Sequence, residues 1–130
     1  MFEPRTAAVI VAAGLLFIAV FQLALALGAP FGRAAWGGAH DRLPTRLRRS
    51  SAVAVVIWLI ATAVVLARAD YVTLPGPAEI ATAGTWVVVV LLGLGAIVNV
   101  ASSSPWERFG WGPPAAILAA FGLVVATSPV

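Results

Sequence analysis

The sequence predicts an all-α integral membrane protein, a four-helix antiparallel bundle with both termini on the non-cytoplasmic side. Three observations carry that expectation. The chain of 130 residues is 62% hydrophobic and only 10% charged. A typical soluble domain is about 25% charged, and so little charge cannot clothe a water-exposed globule of this size. Four long apolar runs alternate with polar links. Finally, the positive charge is all Arg, and half of it sits in one link, Asp41–Ser51, as Arg42, Arg46, Arg48 and Arg49.

The spans follow in order. After a short polar lead, residues 6–27 run without a charge, and their length matches the ~20 residues a helix needs to cross a bilayer. A secretory signal would carry a shorter apolar stretch, about 7–15 residues, so the first span is expected to be retained. Gly28, Pro30, Gly32, Gly37 and Gly38 end it and open a loop over 28–50. Pro44 suits the first turn of the next helix, and Asp41 before it complements the positive helix start. The second span is expected over 51–68, with Arg68 and Asp70 closing it. Its Val and Ile content is strand-like, but a lone strand in lipid leaves its backbone unbonded. Pro75-Gly76-Pro77 turns the chain. The third span is expected over 80–101, the second loop over 102–113 and the fourth, shorter span over 114–128. All of 1–130 reads as a single membrane domain.

Orientation rests on charge. Loops 28–50 and 102–113 hold Arg33, Arg42, Arg46, Arg48, Arg49 and Arg108, and the other side holds Arg5 and Arg68. Lys/Arg-rich loops stay in the cytoplasm. Trp36, Trp106 and Trp111 fall near that inner interface, and Tyr71 and Trp86 near the outer one, as anchoring aromatics do.

Candidate functional residues are few. No Asp, Glu, Lys, Arg or His is expected inside a span, which argues against an ion-coupled transporter. Gln22 and Asn99 lie toward the inner ends of their helices, close in depth to Ser102. They form either a polar pocket facing the cytoplasm or interhelical hydrogen bonds worth ~0.6 kcal/mol each. Glu107 is the lone acid of its loop, facing the Arg-rich one. A clamp between the loops is expected, built by Glu107, Arg108 and Arg33 and setting registry more than stability. Arg42, Arg46, Arg48 and Arg49 are expected to contact lipid headgroups, at about 1 kcal/mol each on an anionic surface. His40-Asp41 is the single acid–base pair with a His; without a positioned nucleophile it assigns no catalytic residue. No ligands cluster for a metal, and there is no Cys.

FQLALALGAPFGRAAWGG, LPTRLRRSSAVAV and NVASSSPWERFGWGPPAAI resemble a family of small bacterial four-span membrane proteins, over most of the chain. The resemblance implies a multi-pass protein of the bacterial plasma membrane and names no reaction. Small multidrug-resistance transporters share the size and span number but carry a Glu in the first span, where this chain has only Gln22. The expected function is therefore a non-enzymatic accessory, scaffold or lipid-contacting role, without a cofactor. Expected partners are membrane lipids and another membrane protein or a second copy, not nucleic acid. The alternative is a small oligomeric carrier or channel component using the pocket at Gln22 and Asn99.

Overall fold

The computed structural model describes residues 3–129. It is all-helical among them, with α1 (Pro4–Ala26), α2 (Thr45–Arg68), α3 (Glu79–Ala101) and α4 (Gly112–Thr127). A six-residue π-helical segment, Trp106–Trp111, leads directly into α4. Each helical stretch, with the π segment counted into the fourth, is long and apolar enough to cross a bilayer. Their outer faces fit lipid: Phe17, Val20, Ile60, Ile97 and Val98 are all exposed, more apolar surface than a water-soluble monomer leaves uncovered.

Two boundaries differ from the apolar runs. α2 begins at Thr45, ahead of the apolar run at Ser51 and as Pro44 at the start of the Arg-rich stretch leads one to expect, because Arg is a good helix former. Apolar character marks the bilayer-embedded part of a helix, not its start. The fourth helix is longer than its apolar core because the π segment extends it to 22 residues. Pro113 and Pro114 lack the N–H groups that would bond back onto this segment. The turn before them widens, and the Gly112 N–H reaches the Glu107 carbonyl instead. Charged residues stand only toward the ends of these helices, as Arg5, Arg46, Arg48, Arg49, Arg68 and Glu79, with Glu107 and Arg108 in the π segment.

α1 packs chiefly on α2 and α3 on α4, and narrower α1–α4 and α2–α3 contacts close the bundle. Its two halves are packed differently. Toward the end that holds both chain termini, Ala7, Ala8, Val11 and Leu15 of α1 meet Ala61 and Val65 of α2, Val88 and Leu92 of α3 and Val125 of α4 in a close core. Small residues on α1 and α2 let the backbones approach, as they do in membrane bundles. Arg68, only 7% exposed, ties this end together by donating from its guanidinium to the Ser128 carbonyl at 2.6 Å. The Arg5 guanidinium sits 4.1 Å from the centre of the Tyr71 ring there. The opposite half is not filled in this way. A small cluster, Leu25, Ala35 and Leu43, anchors the 28–50 segment onto α1 and α2, and beneath it the bundle holds a cavity.

Candidate functional site

The cavity has a volume of about 910 Å³, at the upper end of the ~300–1,000 Å³ usual for small-molecule sites. α1 contributes Gly14, Phe21 and Gln22, α3 contributes Leu91, Gly95 and Asn99, and α4 contributes Ala115 and Leu118. Trp58 of α2 adds to the wall, and Trp36, Trp106, Glu107 and Trp111 line its loop end. At 1.5 Å per residue, Gly14 lies about 18 Å along α1 from Ala26. Against a hydrocarbon core about 30 Å thick, the lining thus reaches from the loop end about half-way along the bundle. A Cβ on Gly95 would meet nothing within 4 Å; this glycine leaves the cavity wall open.

The mouth is built where the two loops meet. The Ser102 hydroxyl donates to Glu107 Oε1 at 2.6 Å and accepts the Ser104 N–H at 3.0 Å, which fixes the turn into the π segment. The Gly37 N–H donates to Glu107 Oε2 at 3.3 Å, and the Ser104 hydroxyl donates to the Arg33 carbonyl. Gly38 has φ +77 and lies against Ser104, where a Cβ would be 2.6 Å from the serine Cβ. Glu107 is 7% exposed.

The loops thus meet through Glu107, but without the expected ion pair. Its cross-loop donor is a backbone amide. Arg33 pairs with Asp41 inside its own loop, Nε to Oδ1 at 2.7 Å, the one salt bridge among the described residues. The Arg108 Nε donates to the Ser102 carbonyl at 3.1 Å, also within its own loop. Near neighbours in sequence satisfied both guanidinium groups, and closing a short loop costs less entropy than closing a long one. The hydrogen bond from Arg33, and next its charge, hold the Asp41 carboxyl below its ordinary range. The pair's contribution is therefore present above the unfolded carboxyl's pKa and is lost as pH falls through the depressed folded value. Both groups are exposed, so the contribution is small. Asp41 does not sit on the α2 start: its carbonyl accepts the Gly32 N–H at 2.8 Å, which leaves its side chain to Arg33.

The four Arg of the basic link divide by task. Arg48 Nε donates to the Ala26 carbonyl and Arg42 donates to the Gly28 carbonyl, each at 3.1 Å. These two cap the C-terminal end of α1, where carbonyls lack helical partners. The Arg46 and Arg49 side chains are exposed, with no hydrogen-bond partner among the described residues.

Gln22 and Asn99 line the same cavity, while Ser102 reaches it only through Glu107. Asn99 does not make the interhelical bond expected of it, and the embedded Thr62 makes none either. The Asn99 amide donates to the Gly95 carbonyl at 2.7 Å and the Thr62 hydroxyl to the Trp58 carbonyl at 2.8 Å. In an apolar surround the nearest acceptor, four residues back on the same helix, wins. The buried Gln22 Oε1 accepts no hydrogen bond.

Sequence reasoning missed Trp36 as more than an anchor. Its indole N–H donates to the fully buried Ser51 hydroxyl at 2.9 Å, and its backbone is held at φ +49, a conformation that costs an L residue about 1–2 kcal/mol. Nothing short of the tertiary contact signals this in sequence. Trp36→Phe is expected to cost about 1 kcal/mol. A double-mutant cycle with Ser51→Ala, read from thermal unfolding in detergent, is expected to give less than the sum of the single losses. Trp111 packs its ring against Phe21 and Phe17, with centroids 4.8 and 5.9 Å away. Comparison with family models, curated proteins and solved structures found no match.

Proposed function

We propose that this chain is a multi-pass protein of the bacterial cell membrane that works by binding rather than by catalysis. Its basic end engages anionic headgroups, and the cavity beneath takes an amphipathic molecule from the adjoining leaflet. The observation that carries this reading is the cavity itself. It extends from the loops at the Arg-rich end to Gly14 on α1, and is walled by aromatic and aliphatic side chains with a few polar groups at its loop end. That is the layout of a site for a molecule with an apolar tail and a polar head. The test is a tail-labelled fatty alcohol carrying a pyrene, added to purified protein in maltoside detergent. Energy transfer from the cavity tryptophans is expected, and Gly95→Phe, which fills open space, is expected to abolish it. Unchanged transfer in Gly95→Phe overturns the reading.

The headgroup role rests on Arg46 and Arg49. Replacing both with Gln is expected to weaken retention on anionic vesicles by about 30-fold, from roughly 1 kcal/mol per Arg near an anionic surface. Retention on neutral vesicles should not change. Topology is checked separately. A reporter that fluoresces only in the cytoplasm, fused to the C-terminus, is expected to stay dark, and a bright fusion reverses the orientation.

A second reading, a small oligomeric carrier or channel component, draws support from the unbonded Gln22 Oε1 beside the cavity. Gln22 and Asn99 both line that cavity, and polar side chains embedded in lipid usually face a polar path. Flux in proteoliposomes that is lost in Asn99→Ala would favour it; absence of flux for cationic, anionic and neutral solutes removes it.

A further inference from the structure

Resting on the cavity reading above, we propose that the ligand is a lipophilic cation, with an ammonium head at Glu107 and an apolar tail running toward Gly14 and Leu118. Two independent features lead there. The first is an uncompensated carboxylate. Glu107 is 7% exposed and lines the cavity together with Arg33, yet among the described residues it forms no salt bridge. The nearby Arg side chains are engaged elsewhere: Arg33 with Asp41, Arg108 with Ser102, Arg42 and Arg48 with the end of α1. A buried anion without a counter-charge is costly, and a cation that enters its site removes that cost. Ser102 and Gly37 supply the two hydrogen bonds Glu107 accepts. A carboxylate has about four acceptor positions, so an incoming ammonium finds lone pairs without breaking the mouth.

The second feature is the wall. Phe21, Trp36, Trp58, Trp106 and Trp111 line the cavity, where an aliphatic surface would hold a neutral tail as well. Aromatic faces carry negative potential, and Trp holds a cation best. Acid and rings are brought together by the same device: the π segment carries Glu107 between Trp106 and Trp111, and the 28–50 loop brings Trp36 and the Gly37 N–H over them. An anionic amphiphile would place its charge against Glu107, and Arg33, the one cationic side chain of the lining, is already paired with Asp41. The ammonium has two possible sources, the headgroup of an aminophospholipid and a free hydrophobic amine or quaternary ammonium.

The experiment uses the full chain in maltoside detergent, which carries no charge, with Trp fluorescence as the readout. Dodecylammonium, which keeps three N–H donors, and dodecanol are titrated against the native protein, Glu107→Gln and Gly95→Phe. The native protein is expected to bind the cation at least about tenfold more tightly than the alcohol. Glu107→Gln is expected to erase that preference while keeping alcohol binding, and Gly95→Phe to lose both ligands. Equal affinity of the native protein for the two amphiphiles overturns the cation assignment and leaves the cavity reading standing. An unchanged preference in Glu107→Gln also overturns it. Binding of neither ligand overturns both readings together. Should Glu107→Gln fail to fold, the native protein's preference decides alone. Dilauroyl phosphatidylethanolamine against dilauroyl phosphatidylglycerol separates the sources. A Glu107-dependent preference for the ethanolamine lipid assigns the ammonium to a headgroup, and its absence beside tight surfactant binding assigns it to a free amine.

Discussion

Glu107→Ala is expected to lower the thermal unfolding midpoint in detergent, at a cost of about 2–3 kcal/mol. The size follows from what the carboxylate holds. It accepts from the Ser102 hydroxyl at 2.6 Å and from the Gly37 N–H at 3.3 Å, and it does so at 7% exposure. Truncation leaves the Ser102 hydroxyl without its acceptor in a part-buried place and opens a void beside the cavity. The loss does not stop there, because the Ser102 hydroxyl also accepts the Ser104 N–H, and Ser104 in turn bonds the Arg33 carbonyl. One side chain therefore holds the turn into the π segment and the contact between the loops. Glu107→Gln keeps one oxygen as an acceptor and is expected to cost about 1 kcal/mol, since the charge assistance is lost but the geometry survives. The order Ala worse than Gln is the check. Two variants with native midpoints would show that the loops hold each other without this group.

Gly32→Ala is the second large effect, expected to cost about 2–3 kcal/mol through overpacking. A Cβ at this position would clash with the His40 carbonyl and lie 2.8 Å from the Asp41 carbonyl. Both obstacles are backbone, so no side-chain rotation relieves them. The shift would also pull the Gly32 N–H from the Asp41 carbonyl, now at 2.8 Å, and with it the Arg33–Asp41 pair. Gly37→Ala is the matched control. It has φ +86 but nothing within 4 Å of an added Cβ, so only backbone strain of about 1–2 kcal/mol is expected. Limited proteolysis of the 28–50 loop should follow the same order, Gly32→Ala first. Equal effects of the two substitutions would mean that the close approach at Gly32 relaxes freely.

Both expectations concern the loops, where sequence and structure part company. The sequence alone determined the four helical spans, because about 20 apolar residues in a row have one stable form in lipid. It also determined that both termini share one end and that the polar chemistry gathers at the other, because an even number of spans and the positions of the Arg residues leave no choice. It pointed to Glu107 as the group joining the loops. It did not give Glu107 its partner. An Arg was the natural expectation from charge, but Arg33 and Arg108 closed on near neighbours, and an amide of the Trp36–Gly38 turn took the place. The sequence also did not show that Arg42 and Arg48 bond the carbonyls at the end of α1.

The cavity was decided by tertiary structure alone. Gln22 and Asn99 were legible as embedded polar groups at one depth, but a void has no residue of its own in a sequence. It exists because small residues draw the helices together at the terminal end, while Trp and Phe side chains and the widened π turn hold them apart at the other. Local periodicity records which face of a helix is apolar. Only the assembled bundle decides whether that face meets another helix or open space.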